Sequence, residues 1–408
     1  MNLVFVTLSD IVGIQNRGIY TDLMRKFRDE GYSVYIVSPC ERKNRQNTHV
    51  ISADGVKILK VRTLNIQKTN VLEKGLGTLL IEKQFRQAIR KFLSDVTFDL
   101  ILYSTPPITF TNVIRYLKQK NPQALSYLLL KDIFPQNAVD IGLFGEKSIF
   151  NWYFRKKEIA LYKNSDYIGC MSPANVEFVR NHNTYYPADC VEVAPNSISL
   201  VNERNDTNVS ILEKYGLPTD KPIFIYGGNL GKPQGIDFLI RCLNENKHRQ
   251  DCHFVVVGNG TEYNKLSAWY EENVRNAEGH FSVTLMQRLP KEDYDMLVRS
   301  CDIGLIFLDH RFTIPNYPSR LLSYLENRMP VICATDVNTD IGRIAEENGY
   351  GYWCESVNPG DFTLLVNRYV SDRDSIQVMG EKGYQYLKEN YLVDNTYRAI
   401  TKHFANPD

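Results

Sequence analysis

Short apolar runs alternate with amphipathic stretches along most of the chain. The first run, LVFVTL, is followed by a polar loop and by a stretch from Ile19 to Glu30 with apolar residues at helical spacing. Gly31 ends that stretch, and the next apolar run, YSVYIVSP, begins directly after it. Continuous apolar runs are typical of parallel strands that are buried on both faces. The pattern therefore predicts a βαβ unit, from which parallel α/β sheets are built.

The same alternation continues towards the end of the chain, with one interruption. Residues 201–221 are polar and contain a Gly-Leu-Pro sequence, which is typical of a linker between domains. A chain of 408 residues is also too long for one ordinary core. We therefore predict an α/β protein with an N-terminal domain at 1–200, a linker at 201–221 and a C-terminal domain at 222–385.

Composition and charge narrow the class of protein. Hydrophobic residues make up 43% and charged residues 23% of the chain, as in ordinary globular proteins. The formal net charge of +1 does not indicate the excess of positive charge that nucleic-acid binding needs. The eight cysteines form no C-x-x-C pair, which favours reduced thiols over a disulfide framework or a zinc site. The sequence shows no signal peptide and no apolar run long enough to span a bilayer. We expect a cytoplasmic protein that does not bind nucleic acid.

A glycine-rich loop, GGNLGKPQG, follows the first apolar run of the C-terminal domain. Gly228 and its neighbouring glycines let the backbone approach a ligand closely, and the helix predicted from Ile236 presents free N–H groups at its amino end. Lys232 adds a positive charge to the same loop. The loop lacks the spacing of a Walker A motif, so the pattern indicates an anion site of another kind.

An acid stands at another predicted strand end. The run LSYLLL is followed by Lys131 and Asp132, with Pro135 and Asn137 close behind. Ligands of open α/β sheets bind outside the carboxyl ends of the strands, which makes Asp132 a candidate site residue. An acid that only caps the following turn gives the same pattern, so both interpretations stay open.

The segment from Phe312 to Asp340 is predicted to carry a loop, a short helix, a strand and a second loop. Two prolines forbid a helix before Ser319, which can then cap the helix Arg320–Asn327. That helix carries one acid, Glu326, and ends before Pro330 and the strand VICA. We expect a ligand beside this strand end; a plain αβ unit with a solvated glutamate is the alternative.

The residues PSR, Glu326 and PVI in this segment resemble the nucleotide-sugar site of glycosyltransferase family 4, in a branch that builds bacterial surface polysaccharides. The resemblance implies the GT-B fold, in which two Rossmann-like domains face each other across a cleft. A C-terminal helix, here about 386–408, crosses back to the first domain in that fold. Glu326 matches the second glutamate of the family's E-x7-E motif, which binds the donor ribose. Pro318 replaces the first glutamate, so backbone amides of Asn316–Ser319, or Arg320, would contact the donor instead.

The resemblance also assigns roles to residues outside this segment. The family holds the donor diphosphate with an arginine and a lysine, but Asn229 and Gln234 stand at those positions, so Lys232 takes the charge role. The turn with Arg288 and Leu289 would receive the nucleotide base. Asp132 would orient the acceptor hydroxyl or stabilise the cationic sugar. The implied donor-binding residues are Gly13, Gly228, Asn229, Arg288, Leu289, Asn316, Pro318, Ser319, Arg320 and Glu326.

The function implied by the resemblance is retaining transfer of a hexose or acetamidohexose from a nucleotide-sugar, preferably a UDP-sugar. The acceptor would be a saccharide or a polyprenyl-diphosphate-linked saccharide in capsule or O-antigen biosynthesis, and neither a cofactor nor a metal would be needed.

Three alternative functions stay open. A sugar-nucleotide epimerase of the same fold would need a second acid/base residue besides Asp132. An NAD-dependent dehydrogenase would need a G-x-G-x-x-G fingerprint, which the sequence lacks. The third alternative is a non-catalytic relative that only binds its ligand.

Two predicted helices combine basic residues with apolar ones. The stretch 72–93 carries Lys74, Lys83, Arg86, Arg90 and Lys91, and the stretch 148–166 joins Trp152, Tyr153 and Phe154 to Arg155, Lys156 and Lys157. Each helix alone is more typical of a solvated basic face. Together they favour peripheral contact with anionic lipid at the inner face of the cell membrane.

Overall fold

The computed structural model describes residues 1–65, 71–200 and 209–404. The chain forms two compact units, one made of Met1–Ser199 with Tyr391–Asp408 and the other of Leu200–Asn390. Three sequence-based expectations fall outside the described part: residues 201–208 of the linker, residues 405–408 of the last helix, and the side chain of Lys74.

An eight-stranded sheet forms the centre of the first unit. Its strands are β1 Asn2–Val6, β2 Ser33–Glu41, β3 His49–Ala53, β4 Val56–Thr63, β5 Leu100–Ser104, β6 Leu125–Leu130, β7 Tyr167–Cys170 and β8 Val191–Val193. The helices between them are α1 Ile19–Asp29, α2 Val71–Phe92, α3 Thr111–Lys120, α4 Gln136–Asp140, α5 Ile149–Tyr162 and α6 Pro173–His182. The strand order is β3-β4-β2-β1-β5-β6-β7-β8, and all neighbours are parallel except β3 and β4.

A six-stranded parallel sheet forms the centre of the second unit. Its strands are β9 Ile223–Asn229, β10 His253–Asn259, β11 Val283–Met286, β12 Ile303–Phe307, β13 Val331–Thr335 and β14 Gly351–Glu355. The helices are α7 Val209–Lys214, α8 Ile236–Asn246, α9 Tyr263–Tyr270, α10 Lys291–Arg299, α11 Arg320–Glu326, α12 Ile341–Glu347, α13 Pro359–Ser371 and α14 Arg373–Asn390. The order β11-β10-β9-β12-β13-β14 reverses direction between β9 and β12, where sheets of this kind open a ligand crevice.

Central strands of both sheets are buried on both faces, as the continuous apolar runs predict. Every residue of β5, β12 and β13 is buried. Helices cover the two faces because a parallel sheet can expose neither. The predicted fold class, α/β with two Rossmann-like units, is confirmed.

The last helix, α15 Val393–Thr401, packs on the first unit. Its Tyr397 ring lies 5.0 Å from the ring of Phe27 in α1, and the Thr396 hydroxyl donates to the carbonyl of Pro195 at 3.0 Å. Behind it, His403 bonds to the Glu192 carboxylate at 3.0 Å. The chain therefore returns to its first unit at the end, as expected. None of the described helices is both long and apolar enough to cross a membrane.

Candidate functional site

The loop after β9 and the loop after β10 touch each other through their backbones. A Cβ atom on Gly258 would lie 1.9 Å from the carbonyl oxygen of Gly228, and one on Gly260 would lie 2.1 Å from the carbonyl oxygen of Leu230. The Leu230 amide also donates to the carbonyl of Asn259 at 3.0 Å. The Gly-Asn-Gly sequence at 258–260 is thus explained by close backbone packing and not by contact with a ligand.

The glycine-rich loop is equally tied to the loop after β12. The Asp309 amide donates to the carbonyl of Pro233 at 3.0 Å. Gly235, which caps α8 with a φ of +57°, would place a Cβ 3.2 Å from the carbonyl oxygen of Leu308. These contacts hold the amino end of α8 beside the point where the strand order reverses.

Inside the loop, two polar side chains bond to each other. Gln234 accepts hydrogen bonds through its Oε1 atom from Asn229 Nδ2 at 3.0 Å and from the Gly231 amide at 3.1 Å. Asn229 and Gln234 are the residues predicted to replace cations, and here they stabilise the loop. Lys232 begins a short 3₁₀ turn and its side chain is exposed.

Arg320, the first residue of α11, lies against this loop. Its guanidinium carbon is 4.2 Å from the centre of the Tyr226 ring, and its Nη2 atom is 3.6 Å from the position of a Cβ on Gly228. The Tyr226 hydroxyl donates to the carbonyl of Asn229 at 2.7 Å. The Nη1 atom of Arg320 is buried, and within residues 1–65, 71–200 and 209–404 no hydrogen-bond partner reaches it. A cation with a buried and unused donor atom is a candidate for binding an anion.

Two further tyrosines, one buried and one half-buried, complete the surroundings of Arg320. The Tyr324 hydroxyl accepts from the Gly227 amide at 3.2 Å, and the Tyr294 hydroxyl occupies the space in which a Gly227 side chain would lie. Burial raises the pKa of Tyr294 to about 12, so this phenol is neutral at physiological pH. No sequence pattern distinguishes these tyrosines, because each belongs to an apolar run or helix face and has the pattern of a core residue.

The loop before α11 is fixed by a buried carboxylate. Asp336 accepts from the Asn338 amide at 2.9 Å, and from the amide and hydroxyl of Thr339 at 2.8 and 2.9 Å. Burial raises the pKa of Asp336 to about 6, although these hydrogen bonds lower it. The Thr339 hydroxyl accepts from the Asn316 amide at 3.0 Å, so that amide is already used inside the protein.

The structure places the other residues of that loop at the start of α11. Pro318 is half-buried and Ser319 is exposed. Ser319 precedes the helix with helical backbone angles and its side chain makes no capping hydrogen bond, so the predicted cap is wrong. Its neighbour Pro318 already forces the chain to turn, and the helix begins without a side-chain acceptor.

Glu326 lies at the opposite end of α11 from Arg320. It lines a cavity of about 1310 Å³ together with Ile223 and Asp302, at the amino ends of β9 and β12. A helix between two parallel strands runs back from the carboxyl edge of the sheet to its amino edge, so seven residues of α11 carry the chain away from the glycine-rich loop by about 9 Å. The structure therefore does not bring Glu326 together with Gly228 and Arg320.

The predicted base-binding turn lies beside the glycine-rich loop. The Arg288 amide donates to the side-chain oxygen of Asn259 at 3.4 Å, and the loop of Asn259 contacts the loop of Gly228. Arg288 is exposed and Leu289 is half-buried. The structure thus brings together Gly228, Asn229, Arg288, Leu289 and Arg320 at one edge of the second sheet.

Two Asp-x-Asp sequences do not form a metal site in the described structure. Asp293 is paired with Lys214 at 2.7 Å, Asp295 is paired with Lys291 at 2.6 Å, and Asp372 accepts from the Ser375 amide at 3.2 Å. Among the described residues, no group of three or more His, Cys, Asp or Glu side chains is arranged to hold a metal ion.

In the first unit, Asp132 follows β6 at the carboxyl edge of the sheet. Its Oδ1 atom accepts from Asn137 Nδ2, and its amide donates to the Thr105 hydroxyl at 3.3 Å. Burial raises the pKa of Asp132 to about 6, although the hydrogen bond from Asn137 lowers it. The adjacent Lys131, for which the sequence predicted no role, donates through its Nζ atom to the carbonyl of Ala194 at 3.1 Å. Burial lowers the pKa of Lys131 to about 7.

Gly13 lies in the loop after β1, in the same unit. A Cβ on Gly13 would lie 2.8 Å from the Oδ2 atom of Asp54, which accepts from the Ile14 amide at 2.8 Å. This contact inside the unit accounts for a glycine at position 13. A role for it in binding the donor stays a prediction.

Comparison with known proteins shows which enzymes the chain is related to. Residues 209–386 match the family model described as Glycosyl transferases group 1, and these residues include the whole edge formed by Gly228, Arg288 and Arg320. The chain is a glycosyltransferase of the GT-B fold.

Individual proteins agree with this assignment. The glycosyltransferase is 22% identical over 326 residues to the probable glycosyltransferase WbjE of Pseudomonas aeruginosa, which covers 76% of this chain and 77% of WbjE. Among solved structures it resembles Anabaena HepE in complex with UDP, with a TM-score of 0.68, 13% identity and coverage of 99% and 100% of the two chains. It also resembles WaaG, a glycosyltransferase involved in lipopolysaccharide biosynthesis, with a TM-score of 0.66, 11% identity and coverage of 99% and 100%. Likeness at these identities shows the fold.

The contact between Gly258 and Gly228 can be tested by substitution. Gly258→Ala places a methyl group against a backbone oxygen that cannot move without disturbing β9. We expect the free energy of unfolding to fall by roughly 1–3 kcal/mol, which lowers the melting temperature by several degrees. Gly145→Ala is the control, because a Cβ there would meet no atom within 4 Å. A Gly258→Ala protein that melts with the wild type would contradict this packing.

Proposed function

We propose that this glycosyltransferase belongs to family 4 and moves a hexose or acetamidohexose, with retention, from a UDP-sugar to a saccharide or lipid-linked saccharide. The single observation that carries the proposal is Arg320, a half-buried cation whose buried Nη1 donor is unused, beside Gly228. Such a group needs an anion, and the diphosphate of a nucleotide-sugar supplies one.

Three features favour a diphosphate at this edge. The absence of a side chain at Gly228 leaves space beside Arg320, and the amino end of α8 adds free N–H groups and the positive end of its dipole. Lys232 is exposed in the same loop and would add a mobile charge. During transfer, negative charge grows on the leaving diphosphate, and fixed donors near it stabilise that charge without reorganisation. Arg320 and Lys232 would therefore act on the leaving group.

The nucleotide base would lie at the turn of Arg288 and Leu289. This turn is joined to the glycine-rich loop through Asn259, so one rigid edge would hold both base and diphosphate. The likeness to HepE, which was solved with UDP, supports a uridine nucleotide. We propose no ribose contact for Glu326, because α11 carries it to the other edge of the sheet.

Asp132 is proposed to act as an ionised carboxylate on the acceptor side of the reaction. A half-buried acid at a strand end, held by Asn137, can orient an acceptor hydroxyl or stabilise positive charge on the sugar ring. Retention follows if the acceptor attacks from the face that the diphosphate leaves, where the leaving diphosphate itself can take the proton.

The acceptor class follows from resemblance. The PSR sequence at 318–320 is similar to a branch that builds bacterial surface polysaccharides, and the solved neighbour WaaG is described as acting in lipopolysaccharide biosynthesis. We propose a saccharide of capsule or O-antigen, free or carried on a polyprenyl diphosphate, as the acceptor.

A thermal-shift screen of the purified protein tests the proposed donor. A ligand that binds only the folded state increases the free energy of unfolding by mass action, by about 2.7 kcal/mol at a concentration a hundredfold above its Kd. The melting temperature rises as a result. UDP should stabilise the protein, while NAD and NADP should not. Stabilisation by GDP in place of UDP would support sugar transfer but indicate a GDP-sugar as the donor. Stabilisation by NAD alone would refute the proposal.

Arg320→Gln and Glu326→Gln form a matched pair, because the two residues stand at the two ends of one helix. Arg320→Gln removes a charge-assisted contact and should raise the Kd for UDP about tenfold or more. Glu326→Gln should leave the Kd unchanged. Isothermal titration with UDP measures both values. The reverse result would place the donor at the amino edge and restore the role that the sequence suggested for Glu326.

The pH dependence of turnover tests Asp132. Its pKa of about 6 lies above the usual range, so an active carboxylate is lost as the pH falls through 6. We expect kcat/KM to be level above that pH and to fall below it. Asp132→Asn should lower kcat by roughly 10²–10⁴-fold and abolish this inflection, with UDP affinity unchanged. Asp140→Asn, in α4, should keep the wild-type profile; an unchanged inflection in Asp132→Asn would assign it to another group.

A further inference from the structure

Lys131 is a half-buried cation at the carboxyl edge of the first sheet. It directly follows β6, and its neighbours Met171 and Ala194 directly follow β7 and β8, which end in register with it. Its Nζ atom donates to the carbonyl of Ala194 at 3.1 Å. Among the described residues, this carbonyl is the one hydrogen-bond partner of the ammonium group, and no carboxylate pairs with it. An ammonium group carries three N–H donors, so two of them bind nothing within the described ranges.

Two other lysines of the first unit that are withdrawn from water have a carboxylate partner. Lys60 is buried and pairs with Asp10. Lys118 is half-buried and pairs with Asp166 at 2.6 Å. An ammonium group that is withdrawn from water without such a partner is less stable in its charged form, and burial accordingly lowers the pKa of Lys131 to about 7. A ligand anion beside Lys131 would supply the missing negative charge.

Two hydrogen-bond acceptors at the same edge are also unused. Asn196 is buried, and its Nδ2 atom contacts the sulfur of Met171 at 3.5 Å, while its Oδ1 atom has no partner in the described part of the chain. Asn137 donates to Asp132 through Nδ2, and its own Oδ1 atom is likewise buried without a partner among the described residues. Hydroxyl groups of a sugar are donors that suit both oxygens. One cation and two acceptors together fit a hydroxylated ligand that carries a negative charge.

We propose that Lys131 determines which acceptor is used, by binding a negatively charged group of the acceptor saccharide. This inference rests on the proposed function and names the class of its acceptor. Lys131 and Asp132 are consecutive, but the ammonium group bonds at the end of β8 and the carboxylate bonds to Asn137 in α4. An acceptor can therefore present its reacting hydroxyl to Asp132 and its charge to Lys131. The anionic oxygens would come from the diphosphate of a lipid carrier or from the carboxylate of an acidic sugar.

Charged and neutral sugars, compared in the presence of saturating UDP, test the role of Lys131. UDP fills the proposed donor site beside Arg320, so a second anion is measured apart from the donor diphosphate. The carboxylate pair is methyl β-glucuronide with methyl β-glucoside. The phosphate pair is N-acetylglucosamine linked to farnesyl diphosphate with the farnesyl glycoside of the same sugar, which has no phosphate. Isothermal titration of the whole chain should give a Kd about tenfold lower or more for the charged member of one pair, and that pair identifies the source of the anion.

Substitutions of Lys131 separate its charge from its structural contact. Lys131→Met removes the charge, and Lys131→Gln removes the charge but keeps a donor for the Ala194 carbonyl. Both should raise the Kd of the charged probe about tenfold or more and leave the Kd of the neutral probe unchanged, while Lys131→Arg should keep the preference. Lys118→Met is the matched control, because Lys118 also donates to a backbone carbonyl, that of Ala124 at 3.0 Å, but at the amino edge of the same sheet. It should keep the wild-type preference.

The outcomes for Lys131 are distinguishable from those for the donor site. A charge preference that survives in Lys131→Met and Lys131→Gln would overturn the inference, and so would equal or absent binding of charged and neutral probes by a wild type that binds UDP. A preference that disappears when UDP is present would assign the anion to the donor site and would also contradict it. UDP should raise the melting temperature of every Lys131 variant as it does that of the wild type, which shows that the variants are folded. A wild type that UDP does not stabilise would instead count against the proposed function.

Discussion

Backbone contact at the carboxyl edge of the second sheet is the constraint on which the candidate site depends. β9 and β10 are neighbours in a parallel sheet, so their loops leave side by side and must pass within van der Waals distance. Only glycine at 258 and 260 leaves space for the carbonyl groups of Gly228 and Leu230. With those loops fixed, the amino end of α8 and the first turn of α11 face the same point, which is where the strand order reverses.

The charged groups near this edge differ in how completely they are satisfied. Asp336 is buried, but three hydrogen bonds from its own loop surround it, and its effect is to hold the segment before α11 in place. Arg320 is stabilised by the Tyr226 ring, yet a donor atom of its guanidinium has no partner among the described residues. Burying a donor atom of a cation without a partner costs free energy that a ring recovers only in part. The difference separates a structural charge from one that is held ready for a ligand.

In the first unit, burial has a comparable effect on a carboxylate. Asp132 stands at a strand end with one amide side chain as its partner, which leaves its charged form less stable than in water and raises its pKa. The rings of Phe134, Phe144 and Phe154 connect its loop to the exposed start of α5. One segment of the chain therefore joins the candidate acid to exposed apolar side chains of α5.

The sequence by itself determined the two α/β units, their strands, the glycine-rich loop and the positions of Asp132 and Arg320 at strand or helix ends, because apolar periodicity and glycine placement are local properties. It did not determine which charged residue of α11 faces the loop. Glu326 was predicted to bind the ligand because it is the one acid of α11. However, a helix that returns between parallel strands carries its last residue to the amino edge of the sheet. The tyrosines around Arg320, the contact of Gly258 with Gly228 and the exposure of Trp152 but not Phe154 came only from tertiary packing, since they join residues far apart in the chain. Those contacts determine which charged groups have partners and which side chains are exposed, and no local pattern of residue types encodes them.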